Sequence, residues 1–234
     1  MTRPGLLLAL DTATRTPVLG LAGQDGTLLA QRHWASRHRH GEQLLTELDA
    51  LLDEQDAAPR DLAAIAVGLG PGSFTGLRIG LATAKTLAHA LDIPLAGVST
   101  TRALALAAGR EGELAVSLPA GVADRYVHRL RVSGGRVEED GPPQLTATAQ
   151  DLAAAVGPTT LVAVDLPAED VGPDAVALGE TAVRGLAAAI AGLGSFALSE
   201  GRQDDVATLV PAYVALPRGI ARAAEEIRWS PDLR

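Results

Sequence analysis

Ile65-Ala66-Val67-Gly68-Leu69-Gly70-Pro71-Gly72-Ser73-Phe74-Thr75-Gly76-Leu77-Arg78-Ile79-Gly80 has the grammar of an α/β fold. The apolar run 62–69 reads as a strand buried on both faces. Gly70-Pro71-Gly72-Ser73 reads as a tight turn, and Ser73 suits the N-cap of a helix running to about Leu91. In such a unit the backbone N–H groups of the turn and the positive end of the helix dipole converge on one spot, which is in principle an anion site. The named fingerprints do not fit. Thr75 stands where a dinucleotide motif needs its third glycine, and no Gly-Lys-Ser/Thr follows for a P-loop. Pro71 and Thr75 flank Ser73 where a nucleophile elbow needs glycines. A glycine-rich turn that only permits close packing explains the segment equally well.

Upstream, residues 6–11 read as a buried strand ending at Asp11, followed by the Thr-rich turn 12–16. Strands at 18–22 and 27–34 flank Asp25-Gly26, a hairpin signal. Residues 41–54 form an amphipathic helix with Leu44, Leu45, Leu48, Leu51 and Leu52 on one stripe. Downstream, a strand at 93–98 leads to a short helix capped by Thr100 or Thr101. The second half repeats the order loosely: strands at 113–118, 126–132 and 136–139, a helix at 149–156, a strand at 160–165 and a helix near 174–193. Three strands, helix, strand, helix in each half imply an α/β chain of two lobes facing a cleft. The lobes are residues 1–106 and 107–216, joined near 107–112, with a peripheral tail at 217–234.

Composition narrows the function classes. The chain has 234 residues, no cysteine, 47% hydrophobic but only 3% aromatic residues, and a net charge of −8. Without cysteine there is no disulfide framework, thiolate metal site or thiol nucleophile. The longest uncharged stretch, 185–199, is glycine-broken and shorter than the roughly 18 residues of a membrane span, so the expected location is cytoplasmic. Residues 1–105 have net charge −1 and residues 106–234 net −7. Phosphate neutralisation by Lys and Arg drives nucleic-acid affinity, so tRNA would be met only through a basic partner.

Three further features concern sites. Asp11 and Thr12, with Gly70, Gly72, Ser73 and Thr75, could contact an anion or a nucleotide with its magnesium, although a turn-capping Asp also fits. Gly76, Gly80, Ala84 and Ala88 recur every fourth residue. They leave a face without bulk that another helix can approach, either inside the same lobe or from another subunit. The second reading is preferred here, with Leu44, Leu48 and Leu51 contributing, so Gly80→Leu is expected to block pairing while leaving the lobe folded. Arg32-His33 and Arg37-His38-Arg39-His40 form the one basic cluster, read as a solvated loop rather than a metal site. His89 and His128 receive no role.

The chain resembles the TsaB (YeaZ) family. The resemblance rests on Leu8-Ala-Leu-Asp-Thr-Ala-Thr14, His40-Gly-Glu-Gln-Leu-Leu45, the 65–80 segment quoted above, Ile93-Pro-Leu-Ala-Gly-Val-Ser-Thr100 and Val206-Ala-Thr-Leu-Val-Pro-Ala-Tyr-Val214. It implies the two-lobed actin/Hsp70/sugar-kinase-like (RNase H-like) fold, with mixed sheets flanked by helices. It also implies a non-catalytic subunit that pairs with a catalytic homologue, TsaD, through helices of the N-terminal lobe, and that forms a homodimer when isolated. With a TsaE-like ATPase, that assembly makes threonylcarbamoyladenosine beside the tRNA anticodon. ATP and a metal are then expected in the partner subunits, none in this chain alone. The catalytic relative has a His-x-x-x-His metal pair where this chain has Thr100 and Leu104. The stretch 118–126 lacks the carboxylate that usually opens the second lobe. A nucleotide-dependent kinase or ATPase and a peptidase are the competing classes; the first lacks a second phosphate loop, the second an activated nucleophile or metal.

Overall fold

A computed structural model describes residues 5–35, 40–121 and 123–214. The stretch 37–39, the His40 side chain and the 217–234 tail lie outside the described residues. The first sheet contains β1 (Leu6–Asp11), β2 (Val18–Ala22), β3 (Leu28–His33), β4 (Leu62–Gly68) and β5 (Leu95–Val98) in the order β3-β2-β1-β4-β5. β2 runs antiparallel to both β1 and β3, and β4 and β5 run parallel to β1. Successive side chains of a strand point to opposite faces, and β1 uses both. Leu8 and Leu10 pack under α1 (His40–Glu54) and α2 (Phe74–Leu91), whereas Leu7 and Ala9 join the cluster of α3 (Thr100–Ala107).

The second sheet contains β6 (Gly112–Pro119), β7 (Arg125–Ser133), β8 (Arg136–Glu139) and β10 (Thr160–Ala163) in the order β10-β6-β7-β8, with β9 (Gln144–Thr146) beside β7. α4 (Ala149–Val156) covers one face. The short α5 (Ala168–Val171) leads into α6 (Pro173–Ser199). β9 is absent from the pattern read above, because three residues give no alternation to detect.

The helix expected near 174–193 runs six residues further, and its Gly179 and Gly194 are close approaches rather than breaks. A Cβ on Gly179 would lie 1.8 Å from the Ala163 carbonyl oxygen, and one on Gly194 would lie 2.3 Å from the Ala66 Cβ. α6 thus lies against both sheets. By length and composition it is apolar enough to cross a membrane, but Ala182, Leu186, Ala187, Ile190 and Ala191 are core residues.

The two lobes share one core. A single buried cluster runs from Leu7, Ala9 and Ala66 through Leu104 and Leu186 to Leu114, Val116 and Leu130. The end of the expected C-terminal lobe in fact returns to the first sheet. The Asp204 N–H donates to the Leu95 carbonyl at 2.8 Å, and the Gly97 N–H donates to the Asp204 carboxylate at 2.7 Å. One residue thereby caps the open edge of β5, which would otherwise offer unpaired backbone to another strand. Lys85 Nζ, on the one lysine of the chain, donates to the carbonyls of Ala207 and Leu209, and the Ala212 N–H donates to the Leu69 carbonyl.

Candidate functional site

β1, β4 and β5 are parallel, so their carboxyl ends open on one side, where α/β folds place ligands. Asp11 ends β1. Gly68 ends β4 and feeds the turn into α2. Ser99 follows β5 and caps α3, its Oγ accepting from the Arg102 N–H.

At this convergence the polar groups satisfy one another. The fully buried Asp11 carboxylate accepts from the Ala13 N–H at 2.7 Å and from Thr100 Oγ1 at 2.6 Å. Thr100 Oγ1 in turn accepts from the Gly70 N–H at 2.9 Å, and the Thr100 N–H donates to the Gly70 carbonyl at 3.0 Å. Thr12 Oγ1 donates to the Gly76 carbonyl at 2.7 Å, and the Ser73 N–H donates to the Ala13 carbonyl at 2.7 Å. Ser73 Oγ accepts from the Gly76 N–H, so the N-cap is also occupied.

The glycines explain how the backbones come so close. A Cβ on Gly68 would lie 1.7 Å from an Asp11 carboxylate oxygen. One on Gly72 would lie 2.4 Å from the Ala13 carbonyl oxygen, and one on Gly76 2.0 Å from the Thr12 carbonyl oxygen. The open geometry expected of the anion or nucleotide residues is therefore corrected. Asp11, Thr12, Gly70, Gly72 and Ser73 do meet, but as a closed clasp in which the Gly70, Ser73 and Gly76 N–H groups already have acceptors. Thr75 is exposed, outside it. Burial pushes the Asp11 carboxyl up to about 6, against hydrogen bonds from Thr100 and Ala13 that favour the anion.

The expected partner stripe is corrected as well. Gly76, Gly80, Ala84 and Ala88 are all buried, as are Leu44, Leu48 and Leu51. A Cβ on Gly80 already lies within 2.2 Å of Thr12 Oγ1, so Gly80→Leu disrupts the lobe itself rather than a contact with a partner. The small residues let α2 sit down on the end of β1. The outward faces of the two helices carry other residues: Leu45 (52% exposed), Thr46 and Asp49 on α1, and Thr75, Arg78 and Ala82 on α2. Phe74, stacked against Tyr213 with ring centroids 5.2 Å apart, lies beneath the Arg78 guanidinium.

Two residues missed in the sequence join the lobes. Asp165, in the left-handed region at φ 58°, accepts from the Arg15 N–H at 2.6 Å. Burial raises its pKa, while the Arg15 N–H and charge oppose the rise. No carboxylate stands at the end of β6; Asp165, beyond the end of β10 beside it, reaches the Thr-rich turn instead. His128 is buried between Thr101 Oγ1, 2.7 Å from Nδ1, and the Gly141 carbonyl, 3.1 Å from Nε2. A carbonyl only accepts, so Nε2 holds the proton and Thr101 donates to Nδ1. Burial lowers the pKa of this neutral imidazole. The signal for His128 was its register, two residues from the inward-facing Tyr126 and Leu130 of β7.

The profile of TsaD, tRNA N6-adenosine threonylcarbamoyltransferase, matches residues 33–223. The tRNA threonylcarbamoyladenosine biosynthesis protein TsaB of Bacillus subtilis is 36% identical over 140 residues, 59% of this chain and 60% of that protein. The chain belongs to the TsaB/YeaZ family. TsaB of Escherichia coli is 38% identical over 105 residues, 45% of each chain. The chain thus spans less than two thirds of the length of these TsaB relatives. YeaZ from Pseudomonas aeruginosa has the same fold, with a TM-score of 0.70 over 90% of this chain and all of that one, at 24% identity. Within the TsaB/YeaZ fold, Leu104 lies in the core and Thr100 is held by Asp11 and Gly70.

Proposed function

We propose that this chain is a non-catalytic subunit in tRNA threonylcarbamoyladenosine formation, acting by binding and activating a TsaD-like catalytic homologue. One observation supports the reading above the rest. The place where an enzyme of this architecture would hold a ligand is filled by the chain's own Asp11–Thr100–Gly70 hydrogen bonds. Family membership supplies the pathway. The partner surface in this reading is the outward side of α1 and α2, with the exposed Leu45 at its centre, since the inward side is core. A TsaE-like ATPase completes the assembly, and ATP and metal are handled by the partners. The competing kinase or ATPase reading gains nothing from a clasp whose donors are already engaged.

The test is a transferase assay on tRNA with TsaD and TsaE homologues, with and without this chain. Addition of the chain raises product formation at least about tenfold. Leu45→Arg removes most of that gain through loss of about 2 kcal/mol of pairing, with an unchanged circular dichroism spectrum. Equal rates with and without the chain contradict the proposal.

A further inference from the structure

His128 is a buried titratable group that the functional reading leaves unused. It is 2% exposed, and its two ring nitrogens meet different chemistry. Nε2–H donates to the Gly141 carbonyl, an oxygen that accepts the bond but has no proton to hand on. Nδ1 faces the Thr101 hydroxyl, which can accept and donate at once. The hydrogen bonds continue beyond it, because Thr101 Oγ1 lies 3.1 Å from Ser99 Oγ. The single Thr101 proton is given to Nδ1, so Ser99 is the donor in that pair. Ser99 Oγ in turn accepts from the Arg102 N–H. Thr101 is fully buried, whereas Ser99, just past the end of β5, is half-buried. Every hydroxyl bond therefore points one way, from Ser99 near the surface through Thr101 to a sealed imidazole.

We propose that Ser99 and Thr101 are the path by which His128 exchanges its proton with solvent. A proton taken up by Ser99 Oγ releases the Ser99 proton to Thr101 Oγ1, and the Thr101 proton passes to Nδ1. Each hydroxyl gains one proton as it loses another, and only the imidazole becomes charged. Both hydroxyls end reversed: Nδ1–H donates to Thr101, Thr101 donates to Ser99, and Ser99 turns its new proton toward solvent. The Gly141 bond is kept and the Thr101 bond changes only its direction. α3 of the first lobe thus stays fastened to β7 of the second in both protonation states. The charged groups facing the ring are Arg102 on α3, which opposes the cation, and Glu139 on β8, which favours it. Val116, opposite the ring on β6, carries no charge, and Asp11 engages the neighbouring Thr100 rather than Thr101. The fold thereby admits a cation at the lobe junction in acid without opening that junction. The path does not depend on the functional reading.

Imidazole nitrogen NMR of the full chain from about pH 4.5 to 8 tests it. The wild-type ring is the Nε2–H tautomer at the upper end and takes its proton below the ordinary 6.5 while the chain is still folded. Thr101→Val and Ser99→Ala each slow proton exchange at the ring about tenfold and lower its proton affinity about threefold, since the reversed bonds lose an acceptor. Ser99→Asn keeps an oxygen to cap α3, but its amide cannot pass a proton, so exchange slows about as much. Ser99→Thr keeps both the cap and the hydroxyl and restores the wild-type rate. Ser99 is bonded to the ring only through Thr101, so a role confined to capping would leave the exchange rate unmoved. The proposal is overturned by an Nδ1–H tautomer, or by a ring that stays neutral until the chain unfolds. It is equally overturned if Ser99→Asn and Thr101→Val exchange as fast as wild type.

Discussion

Gly76→Ala lowers the melting temperature by roughly 10 °C or prevents folding, although alanine is the better helix former by about 1 kcal/mol. The added methyl would stand 2.0 Å from the Thr12 carbonyl oxygen. That oxygen belongs to backbone at the end of a central strand, so it cannot swing aside as a flexible side chain would. Either α2 lifts from the sheet, breaking the Thr12 Oγ1 bond to the Gly76 carbonyl, or the turn after β1 distorts. Overpacking of this kind costs about 3 kcal/mol or more. Thr75→Ala, one residue earlier and exposed, serves as the control and stays within about 0.5 kcal/mol of wild type. Thermal unfolding followed by circular dichroism separates the two. An alanine variant at position 76 as stable as wild type would mean that α2 and the end of β1 are not in this contact.

The second large effect is on pH dependence. The Asp11 carboxyl has an ordinary pKa of 3.8 and is raised by burial to about 6 in the folded chain. Between these values the folded protein binds more protons than the unfolded chain, so stability declines as pH rises. The contribution is fully present below pH 3.8 and is lost by about pH 6, a change of about 3 kcal/mol. In Asp11→Asn the side-chain carbonyl still accepts from Ala13, and Thr100 Oγ1 becomes an acceptor of the amide. That variant has no such slope and is at least as stable as wild type at pH 7. Denaturant unfolding of both proteins from pH 4 to 7 gives the difference directly. Asp165 and His128 also titrate differently when folded: the Asp165 contribution fades with rising pH, and the His128 contribution fades as pH falls below 6.5. Both cancel in the comparison. A difference that stays constant with pH would mean that Asp11 is solvated.

Much of the fold was legible because its signals are local. Apolar runs bounded by turn residues marked β1, β4 and α2, Asp25-Gly26 marked the hairpin, and Ser73 marked the N-cap. The direction in which the Gly76–Ala88 stripe faces was not legible, because a face without bulk permits close approach equally to a sheet below or to a helix from outside. What decided it was the position of Thr12, more than sixty residues away in sequence. The same holds for the glycine turn. Its donors look available in sequence, and only the fold shows that Ala13, Thr100 and Ser73 occupy them. Asp165 was hidden because its role requires β10 to lie beside β6, a pairing without a sequence mark. His128 could have been found from its inward register on β7, where a polar residue among apolar neighbours calls for a partner.

The central claim, that Asp11 and its neighbours hold the chain together while catalysis belongs to another subunit, is tested most directly by adding Asp11→Asn protein to the reconstituted transferase reaction at pH 7. The account predicts product formation within about twofold of that obtained with wild type, as expected for a residue whose role is structural and whose shape is kept. A loss of a hundredfold or more from a variant that remains folded would place Asp11 in the chemistry and contradict the account.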